Sequence, residues 1–358
     1  ADAVSEGPTS SLDCLSERLP PWNLSYVAAV KACAPCIRKF LAGNGLQANY
    51  NHWRHGKNWA ACAGRGSISH LGLDTPIIDS MGPYKLADLL VMPRVDAAAL
   101  RAGPCLASRR TLGMVVACES PERASGGKPI QACLSQVLEA FPAFRNVTFY
   151  LRTEEAAHER PSEALSDLLD DPRVYRVLAP DVPCFHPKLR PYPLGVLTAD
   201  EWPAHLEGLE ARTEHRSQLL FCSGARTTRM DIALIVATLR GNGFECGMRP
   251  LSRGDFIDGM LNAKFVFSPV IYLPGLQSHF DWEALLAGAV PLLDARSQCN
   301  RQVYRDLPVV YVKKWSAVTP RFLEQQWAEI QQRAAAGAYD MRRALFPHWL
   351  REIVPPGS

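Results

Sequence analysis

The sequence predicts an α/β protein of two successive parallel halves followed by a helical tail, the pattern of two facing Rossmann-like domains. Three observations predict it. From Thr111 onward, short apolar and β-branched runs alternate with amphipathic stretches of helical length. One stretch holding Pro183, Pro187, Pro191 and Pro193 interrupts the alternation, which then resumes. The 358 residues suffice for two domains of ordinary size, and a composition of 47% hydrophobic and 21% charged residues can bury a core in each.

Residues 1–105 carry many Gly, Pro, Trp and Cys and few periodic stretches, so they read as irregular. Leu112–Cys118 reads as a buried strand. Pro129–Phe141 reads as an amphipathic helix through Cys133, Val137, Leu138 and Phe141. A strand over Val147–Leu151, a helix over Ser162–Leu169 and a strand over Val174–Leu178 complete the first alternation. The proline stretch suits neither a helix nor a central strand, which places the linker there, with Trp202–Leu209 as a bridging helix.

The second alternation starts with a strand at Gln218–Cys222. A helix over Thr227–Arg240 follows, stopped by Gly241-Asn242-Gly243. A strand at Phe244–Met248, a helix at Asp255–Asn262 and a strand at Lys264–Ser268 come next. A helix at Ser278–Ala287 and strands at Val290–Leu293 and Leu307–Val312 follow these. Thr319 with Pro320 opens a helix running through Leu323, Trp327 and Ile330. A last helix is expected over Asp340–Ile353. The expected division is 1–195 for the first half, 215–330 for the second half, and 331–358 for a tail that packs back toward the first.

The net charge of +3 is dispersed, and Arg109-Arg110, Lys313-Lys314 and Arg342-Arg343 are isolated pairs, so nucleic-acid binding is not expected. No apolar run approaches the roughly 20 residues needed to span a bilayer. The opening Ala1-Asp2-Ala3-Val4 lacks both an initiator Met and signal-peptide character, as in a trimmed ectodomain whose membrane anchor lay upstream. Eleven cysteines are many for a reducing compartment, and Cys33 and Cys36 are expected in disulfides. With the sequons Asn23-Leu24-Ser25 and Asn146-Val147-Thr148, they point to a secretory lumen.

The stretch from Lys264 to Leu293 concentrates the chemistry. It reads as a buried strand, a loop with Pro274-Gly275, a helix, and another strand. The helix start is expected to offer free backbone N–H groups to a diphosphate. Ser278 and Asp281 make a capping-box pattern, and Gly288 ends the helix. Glu283, about one and a half turns in, is expected to accept hydrogen bonds from vicinal ribose hydroxyls.

On these residues the chain resembles the exostosin-like glycosyltransferases, including relatives that resemble ribitol xylosyltransferase. The matches are Ser268-Pro269, Gly275, Ser278-His279, Trp282-Glu283-Ala284-Leu285, Gly288 and Val290-Pro291. Leu307-Pro308-Val309-Val310, Trp315-Ser316 and, upstream, Pro191-Tyr192-Pro193-Leu194-Gly195 correspond as well. The resemblance covers about residues 183–350. It implies two facing Rossmann-like domains of GT-B type with a cleft between them, and a nucleotide-sugar donor, uridine-diphosphate-linked. It also implies a glycan or glycoprotein acceptor, no metal or other cofactor, and a Golgi or endoplasmic reticulum lumen. Gly275, Ser278, His279 and Glu283 are then donor-binding.

Phe280 stands where the family commonly has Arg, and Arg226, Arg229 and Arg253, at helix starts, are the candidate substitutes. The resemblance also implies transfer with inversion and makes 1–195 the acceptor side. Inversion needs a general base, and Glu119, directly after a strand, is the candidate because ligands gather at strand ends in open α/β sheets. The competing expectation is a carbohydrate- or nucleotide-binding module that keeps the fold without the chemistry.

Overall fold

The computed structural model describes residues 89–91, 115–118, 128–151, 159–183, 185–197, 202, 216–223, 230–247, 250–268, 277–294 and 300–353. The described chain is α/β and carries two separate sheets, both entirely parallel. The first, in sequence order, holds β1 (Leu89–Val91), β2 (Val115–Cys118), β3 (Val147–Leu151), β4 (Val174–Ala179) and β5 (Leu189–Pro191). The second holds β6 (Gln218–Phe221), β7 (Ala263–Phe267), β8 (Val290–Asp294) and β9 (Val310–Val312), also in order.

Helices α1 (Pro129–Ala140) and α2 (Glu163–Asp170) join strands of the first sheet. α1 buries Ile130, Cys133, Leu134, Val137 and Leu138 against Phe149 and Val177 in one cluster, which explains the helical spacing of its apolar residues. Glu159 caps α1 from a distance: its carboxylate accepts the Ile130 and Gln131 N–H groups at 2.6 and 2.9 Å. Burial raises its pKa, against the pull of those bonds.

In the second half, α3 (Met230–Gly241), α4 (Arg253–Asn262) and α5 (His279–Leu286) precede or follow strands as crossovers. The predicted stops hold. Gly243 at φ 94° and Gly288 at φ 69° take the left-handed conformation after α3 and α5. The next N–H reaches back to Leu239 and Ala284, the Schellman pattern. Thr319 caps α6 (Pro320–Ala335), accepting from Phe322 N at 3.2 Å with Pro320 in the first turn. Arg216 was not singled out by sequence. It is buried before β6 and donates to the carbonyls of Met260, Ala263 and Ala287, at or near the ends of α4 and α5. Burial lowers its pKa to about 10.

Four expectations need correction. Residues 89–91, within the stretch read as irregular, form a strand paired with β2. The proline stretch contributes β5, an edge strand, where Pro191 costs no ladder bond. Phe244–Met248 was expected as a strand, but 244–247 pairs with no strand among the described residues: Gly247 N donates to Ser223 Oγ at 3.0 Å and Cys246 is bonded to Cys222. The last helix is divided into a 3₁₀ turn, Met341–Ala344, and α7 (Phe346–Ile353), because Pro347 has no N–H to continue a helix from the preceding turn.

Disulfides join Cys118 to Cys133 and Cys222 to Cys246, each tying a strand's carboxyl end to the chain that follows. Cys33 and Cys36 lie outside the described residues. Among the described residues no helix is long and apolar enough to cross a membrane.

Candidate functional site

Every strand of a parallel sheet points the same way, so strand carboxyl ends and the crossover helix starts that follow them share one edge. In the second sheet this edge holds Cys222, Ser268, and the starts of α4 and α5. In the first it holds Cys118, the start of α1, and Pro180-Asp181 after β4. The two edges meet. The Gln277 side chain donates to Pro180 O and, at 2.9 Å, to Tyr192 O. Its oxygen accepts from Leu194 N at 2.9 Å and from Trp282 Nε1 at 3.0 Å. Its backbone N–H donates to the Asp181 carboxylate at 3.2 Å. Around this clasp runs one hydrophobic core with members from both halves, including Tyr150, Leu178, Tyr192 and Trp202 with Phe256, Trp282, Leu285 and Trp349. α7 adds an Arg176–Glu352 ion pair and a Tyr192–Trp349 ring contact at 5.7 Å.

At this seam the structure brings four predicted site residues together. Ser278 is the N-cap of α5, and Asp281 completes the capping box by accepting from Ser278 N at 2.8 Å. His279 Nδ1 lies 2.8 Å from Gly195 O, so that nitrogen carries the proton. Arg253, the first residue of α4, forks onto Glu283 with Nη2–Oε1 at 2.6 Å and Nη1–Oε2 at 3.0 Å. Leu197 N approaches the same carboxylate at 3.4 Å. Arg226, Arg229, Gly275 and Glu119 lie outside the described residues.

Two expectations about α5 change. Glu283 does not face an open cleft: its side chain is 0% exposed, whereas that of Arg253 is 30% exposed. Charge explains the arrangement, since a carboxylate withdrawn from water is tolerable only with a fork of donors on it. Nor is the helix start a row of open donors. Gln277, Ser278, Phe280 and Asp281 N–H groups each already have an acceptor.

Phe280, in place of the family's Arg, packs on Phe256 with ring centroids 5.0 Å apart. The Arg253 guanidinium lies 5.9 Å from the Phe256 ring. Position 280 thus supports the arginine of α4 through one intervening ring.

Sequence reading missed three groups. Gln277 gives no periodic signal. Asp181 sits just past a strand end, the same signal that singled out Glu119. Asp281 was read only as a cap, yet it is buried beside the Tyr304 hydroxyl, which donates to it at 2.6 Å. Burial pushes the Asp281 pKa up to about 6, with the hydrogen bonds from the Tyr304 hydroxyl and the Ser278 N–H drawing it back down. Burial, with the adjacent Asp281 charge, raises Tyr304 well above the usual phenol value.

Among the described residues no group of three or more His, Cys, Asp and Glu side chains is arranged to hold a metal ion. No protein-family model matches the sequence, and no curated protein matches it.

Proposed function

We propose that the chain is a glycosyltransferase of exostosin-like type. It moves a sugar from a uridine-diphosphate-linked donor to a glycan or glycoprotein acceptor, with inversion and without a metal. The frame is of GT-B type, and the setting is a Golgi or endoplasmic reticulum lumen. One observation carries this reading: the meeting of two parallel-sheet carboxyl edges around Arg253, Glu283, Ser278 and His279. Open α/β sheets bind ligands at that edge. The motif residues of the resemblance lie on and around α5, and the two disulfides support an oxidising compartment.

In this reading Arg253 is the cation for the donor diphosphate, in place of the family's arginine at position 280. Glu283 has about four lone-pair positions. Arg253 and Leu197 take three, so ribose recognition requires the Arg253 fork to turn toward the diphosphate as the nucleotide enters. Glu119 is the candidate base.

The pairing of the buried Glu283 carboxylate with Arg253 favours a second reading, a carbohydrate- or nucleotide-binding module without catalysis. In that reading the pair is a structural joint between α4 and α5. Nucleotide titration and donor hydrolysis separate the readings. For the transferase, Glu283→Gln weakens nucleotide binding about ten- to a hundredfold, the loss of a charge-assisted pair of hydrogen bonds. Donor turnover is detectable with wild-type protein. Unchanged nucleotide affinity in a folded Glu283→Gln protein, with lowered stability alone, would make the pair structural and sink the donor-site assignment. Binding without any donor turnover across acceptors would select the module.

A further inference from the structure

We propose that Asn146 carries an N-linked glycan, attached on the edge of the first sheet opposite the candidate site. The proposal rests on the lumenal setting inferred above and goes beyond the transferase reading.

Asn146-Val147-Thr148 is an acceptor sequon with no proline at its centre. Such triplets are common by chance, and the structure adds an observation that the fold does not explain. Thr148 is the second residue of β3 and is 0% exposed. All five residues of that strand are buried, and the other four are Val, Phe, Tyr and Leu. The Thr148 hydroxyl has no hydrogen-bond partner among the described residues. Valine has nearly the same shape and no group to leave unpaired, whereas a buried unpaired hydroxyl costs about 1–3 kcal/mol. Packing and pairing in β3 therefore disfavour the hydroxyl. The sequon requires it, two residues after the acceptor asparagine.

Asn146 itself is suited to the role. It sits at φ 57°, a left-handed conformation that asparagine adopts more readily than most residues. It is partly exposed, in a turn where Pro142, Ala143 and Arg145 face solvent. It precedes β3 at its amino end. The five residues of β3 at about 3.3 Å each place it roughly 16 Å from the carboxyl edge where the two sheets meet. A glycan there leaves the seam clear.

Transfer takes place on the unfolded chain, before β3 pairs and seals Thr148 in the sheet. The Asn146 side-chain nitrogen bonds to the anomeric carbon of a lipid-diphosphate-linked oligosaccharide. The bond from that carbon to the diphosphate oxygen breaks. The lipid diphosphate leaves with the electron pair, and the amide proton passes to a base.

The test is secretory expression in a eukaryotic host, followed by peptide mapping before and after enzymatic deglycosylation. The expected result is a glycosylated Asn146 peptide that returns with aspartate at position 146. Thr148→Val should abolish the modification and leave a folded protein at least as stable as the wild-type polypeptide after deglycosylation. Thr148→Ser should retain it. An unmodified Asn146 in the secreted, folded protein would overturn the proposal. So would a Thr148→Val protein that unfolds at lower denaturant than that deglycosylated control, since the hydroxyl would then have a structural role. The lumenal reading fails separately, by finding Cys118, Cys133, Cys222 and Cys246 reduced in protein from its native source.

Discussion

Asp281 does two things that oppose each other. Its carboxylate completes the cap of α5 and accepts from Tyr304, yet it is fully buried with its pKa raised to about 6 from 3.8. A carboxyl with a raised native pKa takes up a proton on folding. Its charged form is therefore penalised above pH 6, and its contribution to stability improves as pH falls from about 6 toward 4. At about 1.4 kcal/mol per unit, the full span is roughly 3 kcal/mol. Asp281→Asn keeps the size and an acceptor oxygen and removes the titration. Relative to wild type, the variant should be more stable at about pH 7.5 than at about pH 4.5, by an amount of that order. Asp171 and Asp340, whose pKa values are lowered, act in the opposite sense but equally in both proteins, so they cancel in the comparison. Denaturation curves at both pH values decide it, and an offset independent of pH would refute the linkage.

At the scale of elements, the ends of helices are set locally and the missing strand after α3 is not. The alternation of apolar Phe244, Cys246 and Met248 favours a strand, but the Cys222–Cys246 bond and the Gly247–Ser223 contact hold 244–247 beside β6 without a ladder. The bond joins cysteines 24 residues apart and leads into Ser252 and Arg253 at the start of α4. Replacing both cysteines by serine should lower stability by roughly 3 kcal/mol, the chain-entropy value for a loop of this length. Midpoints of urea unfolding for the two proteins measure this directly. Equal midpoints would mean that packing alone holds the segment.

For the whole molecule, the seam is the decisive feature. Gln277 satisfies groups from 85 and 97 residues away, and the core beneath it draws on both sheets. A joint of this kind makes the two halves unfold together. Calorimetry of the wild-type protein should show one cooperative transition. Gln277→Ala strands its partners at Pro180, Tyr192, Leu194 and Trp282 and should cost at least about 4 kcal/mol, at about 1–3 kcal/mol for each group left unpaired. Two well-separated transitions in wild type, or an unchanged midpoint in the variant, would show that the halves are only loosely coupled.

The sequence by itself determined the parallel α/β alternation, the cap of α5 at Ser278 and Asp281, the Thr319-Pro320 start of α6 and the glycine stops. Each of these depends on residues within one or two turns of each other, so its signal is complete in a short window. Tertiary structure decided the rest. Arg253 reaches Glu283 across 30 residues, and the Asp181 carboxylate takes the Gln277 N–H across 96. Those partners turned an expected open carboxylate into a buried, ion-paired one and expected free N–H groups into satisfied ones. The edge strand at Leu189–Pro191 was hidden for the same reason: a proline excludes a central strand locally, but only the arrangement of the sheet reveals an edge. Local pattern fixes which element a residue belongs to, whereas the burial and charge partners of a site residue depend on contacts that close only when distant segments pack.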